Sequence, residues 1–294
     1  MKEVLLLLIN GAGMGAIFAM IAMSLNVIYG ATSILNFAQG YFVVVAALFA
    51  SLWLPGTSSP SIGAWFVGLI VVAFTTATLM GIQGLLTLIP LKSSTEQHSW
   101  LVTTLAAATI IGGVILVVQG PEAINVATPL GRFTAGGVRT SYVYIAAMVA
   151  SIVLFWGLRQ FANRSLTGLA MQALRQDLEA SQAAGVPVRR LQLMAFAISG
   201  AIIGVVGYSF GPVVAPADSR GVELVLNGFT AAVVGGIGNM KGALIAGPLL
   251  GMVTVATGIW MGSDFQRTVV LGILIVILLV RPEGLFGRVT ARRV

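Results

Sequence analysis

Apolar residues fall in long blocks along this chain, separated by short stretches of glycine, proline and polar residues. The blocks run approximately over 4–29, 35–54, 62–89, 99–119, 141–158, 191–211, 222–239, 243–261 and 265–281. A helix needs about 20 apolar residues to cross a hydrocarbon core roughly 30 Å thick, so the pattern predicts a series of membrane helices. The segments 222–239 and 265–281 are the weakest as full crossings and read equally well as half-helices or re-entrant segments. Turn signals stand between blocks at Leu54-Pro55-Gly56, Gly120-Pro121, Gly136-Gly137 and Arg281-Pro282-Glu283-Gly284. The first block follows Met1-Lys2-Glu3 but far exceeds the roughly 7 to 15 apolar residues of a secretion signal, which makes it a retained span. The expected fold class is all-α: a polytopic membrane protein of about 8 to 10 transmembrane or re-entrant helices, with residues 1–294 forming a single transmembrane domain.

Composition agrees with that pattern. Of the 294 residues, 57% are hydrophobic and 9% charged, against about 25% charged in a typical soluble domain. No charge stands between Glu3 and Lys92, and a water-facing surface cannot be built on so few charges. The absence of cysteine removes a disulfide scaffold, and the 36 glycines follow no triplet repeat. The net charge of +7 sits in loops and not on a face with interleaved aromatics, which argues against nucleic acid. Arg159, Arg164, Arg175, Arg189 and Arg190 share one interhelical segment, while Arg281, Arg288, Arg292 and Arg293 share the C-terminal tail. The bias of basic residues toward the cytoplasmic side places both inside. Four predicted crossings lie between them, so the two assignments agree, and counting back puts the N-terminus outside.

Catalytic chemistry is scarce. The single histidine, His98, lies in a polar stretch beginning at Lys92 and has no partners in the sequence with which to hold a metal. No zinc signature and no paired carboxylates fall within a span, so an enzyme is not expected. The run Gly235-Gly236-Ile237-Gly238-Asn239-Met240-Lys241-Gly242 is only superficially a phosphate loop, because methionine and not glycine precedes the lysine. A tight turn, or unwound backbone lining a cavity, fits it better. Glycines four residues apart, in Gly11/Gly15, Gly200/Gly204, Gly207/Gly211, Gly247/Gly251 and Gly258/Gly262, read as close helix packing ahead of a dimer seam. Glu223, Lys241, Asp264 and Arg267 stand near segment ends, where they can reach the interface. The polar groups left within the spans are neutral, among them Ser24, Asn26, Thr103 and Thr104. Asn36, Gln39, Asn227, Thr230 and Asn239 fall in two glycine-bearing segments toward opposite ends of the chain and are the candidates for lining a path for a polar, neutral solute. Discontinuous segments in two halves point to a transport site and an inverted repeat, although these two stretches align only loosely.

One regular element is too polar to cross. Thr167 can cap a helix through Gly168 to Ala184, rich in good helix formers and stopped by Gly185 and Pro187. Ala170, Ala173, Leu174, Asp177 and Ser181 would share one face of it. Small residues there would let a partner approach closely, with Asp177 as a directional acceptor.

Four stretches together carry a family resemblance: Leu35-Asn36-Phe37-Ala38-Gln39-Gly40, the Gly168 to Gly185 helix, Gly228-Phe229-Thr230 through Gly238, and Arg281-Pro282-Glu283-Gly284-Leu285-Phe286-Gly287. The chain resembles, over almost its whole length, the permeases of ATP-driven importers for branched-chain amino acids, the Liv type. The resemblance implies an ABC importer permease fold in the bacterial cytoplasmic (inner) membrane. It also implies a second permease of similar fold, two cytosolic ATPase subunits and an extracytoplasmic solute-binding protein. ATP would be bound by the partners and no cofactor by this chain. Gly168, Ala173, Asp177 and Gly185 would take the role of the coupling helix that docks in a groove of the ATPase. The family often has histidine at the position of Gln39, lysine at that of Asn227, and a more basic segment at Ile89-Pro90-Leu91-Lys92. Two of these differences fall on candidate path residues, so urea, a short amide or another amino acid stays open as the solute. A stand-alone channel for such a solute is the alternative, and a membrane enzyme comes third.

Overall fold

The computed structural model describes residues 2–54, 61–89, 99–135, 137–217 and 220–287. In chain order the helices are α1 (Lys2–Leu6), a π-helical turn (Leu7–Gly11), α2 (Ala12–Thr32), α3 (Gln39–Trp53), α4 (Ile62–Leu88) and α5 (Ser99–Gln119). A hairpin of β1 (Arg132–Ala135) and β2 (Val138–Ser141) follows, then α6 (Tyr142–Arg164), α7 (Leu166–Gln176), α8 (Leu178–Ala183) and α9 (Val188–Val214). The chain ends with α10 (Arg220–Gly235), α11 (Met240–Trp260) and α12 (Phe265–Val280). Every predicted apolar block contains a helix, as backbone in lipid must satisfy its own hydrogen bonds.

Among the described residues, 6 helices are long and apolar enough to cross a membrane: Val4–Thr32, Ile62–Leu88, Trp100–Gln119, Tyr142–Arg164, Val188–Val214 and Met240–Trp260. At 1.5 Å per residue, α10 and α12 reach about 24 Å, less than the hydrocarbon core. The same holds for α3, whose 15 residues start at Gln39 because Asn36 to Ala38 are not helical, a shortfall the hydropathy of 35–54 hid.

The chain forms two compact units. The first comprises Met1–Asn26, Arg132–Phe155 and Leu226–Val294. In it, the Gly11/Gly15 pair meets the Gly247/Gly251 pair: an added Cβ on Gly15 would stand 2.3 Å from the Gly247 carbonyl oxygen, and one on Gly251 2.3 Å from that of Gly11. These glycines therefore form a seam within the chain. The hairpin pairs Arg132 with Ser141 and Thr134 with Arg139, turning at Gly137 with φ +78°. Thr140 Oγ1 donates to Asn10 Oδ1, and the Phe133 and Tyr142 rings lie 4.5 Å apart. The hydrophobic pattern shows only a glycine turn at this position.

The second unit comprises Val27–Gly131 and Trp156–Val225. In it, α9 lies against α3 and α4. An added Cβ on Gly204 would stand 2.7 Å from Ala73 Cα, and one on Gly207 2.3 Å from the Val43 carbonyl oxygen. Near one end of α9, Tyr208 is buried with Ala46, Ala50, Leu54, Val72 and Val126. There Ile124 N–H donates to the Pro216 carbonyl.

Candidate functional site

In the second unit, the break between α2 and α3 is held by side-chain amides. Asn36 Nδ2 donates to Gln83 Oε1 at 2.7 Å, and Gln83 Nε2 returns a bond to Asn36 Oδ1 at 3.0 Å. Asn36 Oδ1 also accepts from Ala38 N–H at 3.1 Å, which fixes the non-helical turn before α3. Three residues on, Gln39 Nε2 donates to Ser199 Oγ of α9 at 3.3 Å. Asn36, Gln39 and Ser199 are fully buried, and Gln83 and Thr87 nearly so. A buried amide without partners costs about 1–3 kcal/mol, so this reciprocal pairing is what makes a polar layer tolerable among apolar helices. Gln83, Thr87 and Ser199 are absent from the candidates chosen on sequence. The signal for Gln83 was there: it is the one amide side chain in the 27 residues of α4.

The candidates in the first unit divide. Asn227 and Thr230, one turn apart on α10, are both buried, and Thr230 Oγ1 donates back to the Leu226 carbonyl at 2.8 Å. Asn239 belongs to a different arrangement. Its Oδ1 caps α11, accepting from Lys241 and Gly242 N–H at 3.1 and 3.2 Å, while its Nδ2 donates to the Phe286 carbonyl at 2.7 Å. Asn26 Oδ1 accepts from Gly238 N–H at 2.8 Å. Gly236 and Gly238 take φ of +89° and +80°, conformations that glycine adopts at no steric cost. The glycine run is thus a turn that ends α10, starts α11 and receives the Arg281–Gly287 segment, with Leu285 N–H donating to the Val234 carbonyl.

The polar segment after α6 departs from the single helix predicted over Gly168–Ala184. Ser165, and not Thr167, is its N-cap: extended at φ −88° and ψ 143°, it accepts from Gly168 N–H at 2.9 Å. The helix then breaks at Asp177, extended at φ −154° and ψ 107°, whose Oδ1 caps α8 through Ala180 N–H at 2.9 Å. An aspartate that can cap competes with helix continuation, and Glu179 in the first turn of α8 suits the positive end of that helix. The expected face is split accordingly: Leu174 and Ser181 are buried, whereas Ala173 and Asp177 are exposed. Gly168 is buried against α6, where an added Cβ would stand 2.2 Å from the Phe161 carbonyl oxygen. Gly185 ends α8 at φ +77°.

Of the charges near segment ends, Glu223 pairs with Arg220 at 2.8 Å. His98 lies outside the described residues.

A family model described as branched-chain amino acid transport system / permease component matches residues 7–279. The high-affinity branched-chain amino acid transport system permease protein BraD of Pseudomonas aeruginosa is 28% identical, over 98% of this chain and 97% of its own. The corresponding permease protein LivH of Salmonella typhimurium is 27% identical, over 97% of this chain and 96% of its own. A probable LivH of Methanocaldococcus jannaschii is 26% identical, over 92% and 89%. No solved structure matches.

Proposed function

Because the chain belongs to the branched-chain amino acid transport permease family, we propose that it carries a branched-chain amino acid or a related small polar solute across the cytoplasmic membrane, as one membrane subunit of an ATP-driven importer. The observation that carries this reading is a match over residues 7–279, which takes in the spans and the cytoplasmic segment alike. In this reading a second permease completes the membrane part, two ATPase subunits bind ATP, and an extracytoplasmic binding protein delivers the solute. The segment Arg159–Arg190 and the C-terminus are cytoplasmic. Gly168, Ala173, Asp177 and Gly185 build the element the ATPase grips: exposed Ala173 and Asp177 make contact, Gly168 seats α7 on α6, and Gly185 ends α8. Nucleotide shifts the spans between outward- and inward-facing states only through a difference in how the ATPase holds α7 and α8 in each. Asn36, Gln39, Asn227 and Thr230 supply neutral polar groups to the path, and Asn239 acts by fixing the turn before α11. A self-contained channel is not favoured, since the family is one of components of a transport system.

The test changes the side chain at the junction of α7 and α8. Asp177→Asn keeps a side chain that caps α8, whereas Asp177→Arg removes the cap and reverses the charge. In the assembled transporter, Asp177→Arg should abolish solute uptake while ATP hydrolysis persists, and Asp177→Asn should retain most of both. Uptake at the wild-type rate in Asp177→Arg would overturn the assignment.

A further inference from the structure

The second unit contains a cavity of about 500 Å³ that the transport reading does not use. Its lining includes Ile34, the last residue of α4 (Leu88), the first turn of α5 (Trp100), α8 through Gln182, and the start of α9 through Arg189 and Gln192. Of these, α4, α5 and α9 are long apolar helices that end here, so the cavity lies at the membrane–water boundary, where a tryptophan such as Trp100 is at home.

The lining has a clear chemical sense. Ile34, Leu88 and Trp100 supply an apolar wall and Gln182 an amide donor, while Gln192 Nε2 donates to the Ala31 carbonyl at 3.5 Å. Among the described residues Arg189 is the one cation in the lining, and it is exposed and makes no ion pair with any of them. Among the described residues no carboxylate lines the cavity, so a zwitterionic amino acid finds no partner for its ammonium among them. What fits is an anion with an apolar body. We propose that this cavity binds the phosphate headgroup and upper acyl chain of an anionic phospholipid, with Arg189 on the phosphate. Basic pockets between membrane helices are suited to such headgroups. Because Leu178 and Gln182 of α8 line the same cavity, the lipid braces α8 against the ends of α4, α5 and α9. That consequence for coupling rests on the proposed transport function, whereas lipid binding does not.

The purified chain would be equilibrated with mixed micelles containing equal parts phosphatidylcholine and phosphatidylglycerol, and retained lipid counted by native mass spectrometry. Arg189→Gln is compared with Arg190→Gln, an equal loss of charge at the adjacent residue, which does not line the cavity. Arg189→Gln should weaken phosphatidylglycerol retention about fivefold, the scale of one arginine on anionic lipid, with Arg190→Gln close to wild type. Equal loss in both variants, or loss in neither, would overturn the site. Displacement of the lipid by inorganic phosphate alone would overturn the choice of a lipid over a free anion. If lipid binds through Arg189 but the chain with its partners shows no ATP-driven uptake, the transport reading fails and the lipid site stands.

Discussion

At the scale of single residues, the Asn36–Gln83 pair makes the sharpest prediction. Gln83→Leu strips the buried Asn36 amide of its partner and should cost about 1–3 kcal/mol, read as a lower melting temperature of the purified chain. The double variant Asn36→Leu/Gln83→Leu should cost less than the sum of the singles, because neither amide is then left alone; strict additivity would deny the coupling. Glycine contacts give a second test. An added Cβ on Gly242 would stand 1.7 Å from the Gly235 carbonyl oxygen, while one on Gly157 would meet nothing within 4 Å. Gly242→Ala should therefore cost about 1–3 kcal/mol by overpacking, and Gly157→Ala should leave stability unchanged or raise it by up to about 1 kcal/mol. Sequence marks both only as glycines in or beside apolar runs. Which one touches backbone depends on a neighbouring element that no local pattern names.

At the scale of elements, the helices were legible because each is encoded by its own stretch of apolar residues, while their interruptions were not. The start of α3 at Gln39 depends on Asn36 finding an amide 47 residues away, a partner invisible in the 35–54 window. The break at Asp177 was hidden for a different reason: its neighbours are good helix formers, and the aspartate caps α8 instead of continuing α7. Asn239 joins three pieces, as the cap of α11, a neighbour of Asn26 through the turn, and an anchor for Phe286. Asn239→Ala should cost about 1 kcal/mol through the cap and, by releasing the anchor, speed amide exchange across Arg281–Gly287. Unchanged exchange there would show that the anchor is dispensable.

At the scale of the whole molecule, the decisive property is sidedness. The 27 residues of α9 extend about 40 Å, enough to cross the membrane, with Gln182 before its start and Glu122 near the Pro216 end. The chain has no cysteine, so Glu122→Cys and Gln182→Cys each carry a lone thiol at an exposed position. A membrane-impermeant maleimide should label the Glu122 variant in intact cells and the Gln182 variant only after permeabilisation. The reverse pattern would place α7 and α8 beyond the reach of any cytosolic ATPase.

By itself the sequence determined the solvent and the number and order of the apolar helices, because hydropathy and charge act residue by residue and need no partner to be read. Only the tertiary structure decided that the Gly11/Gly15 and Gly247/Gly251 pairs face each other, that Gln83 answers Asn36, and that Asn239 anchors Phe286. Each of those depends on atoms far apart along the chain meeting at van der Waals or hydrogen-bond distance, and such meetings leave no trace in the local spacing of residues.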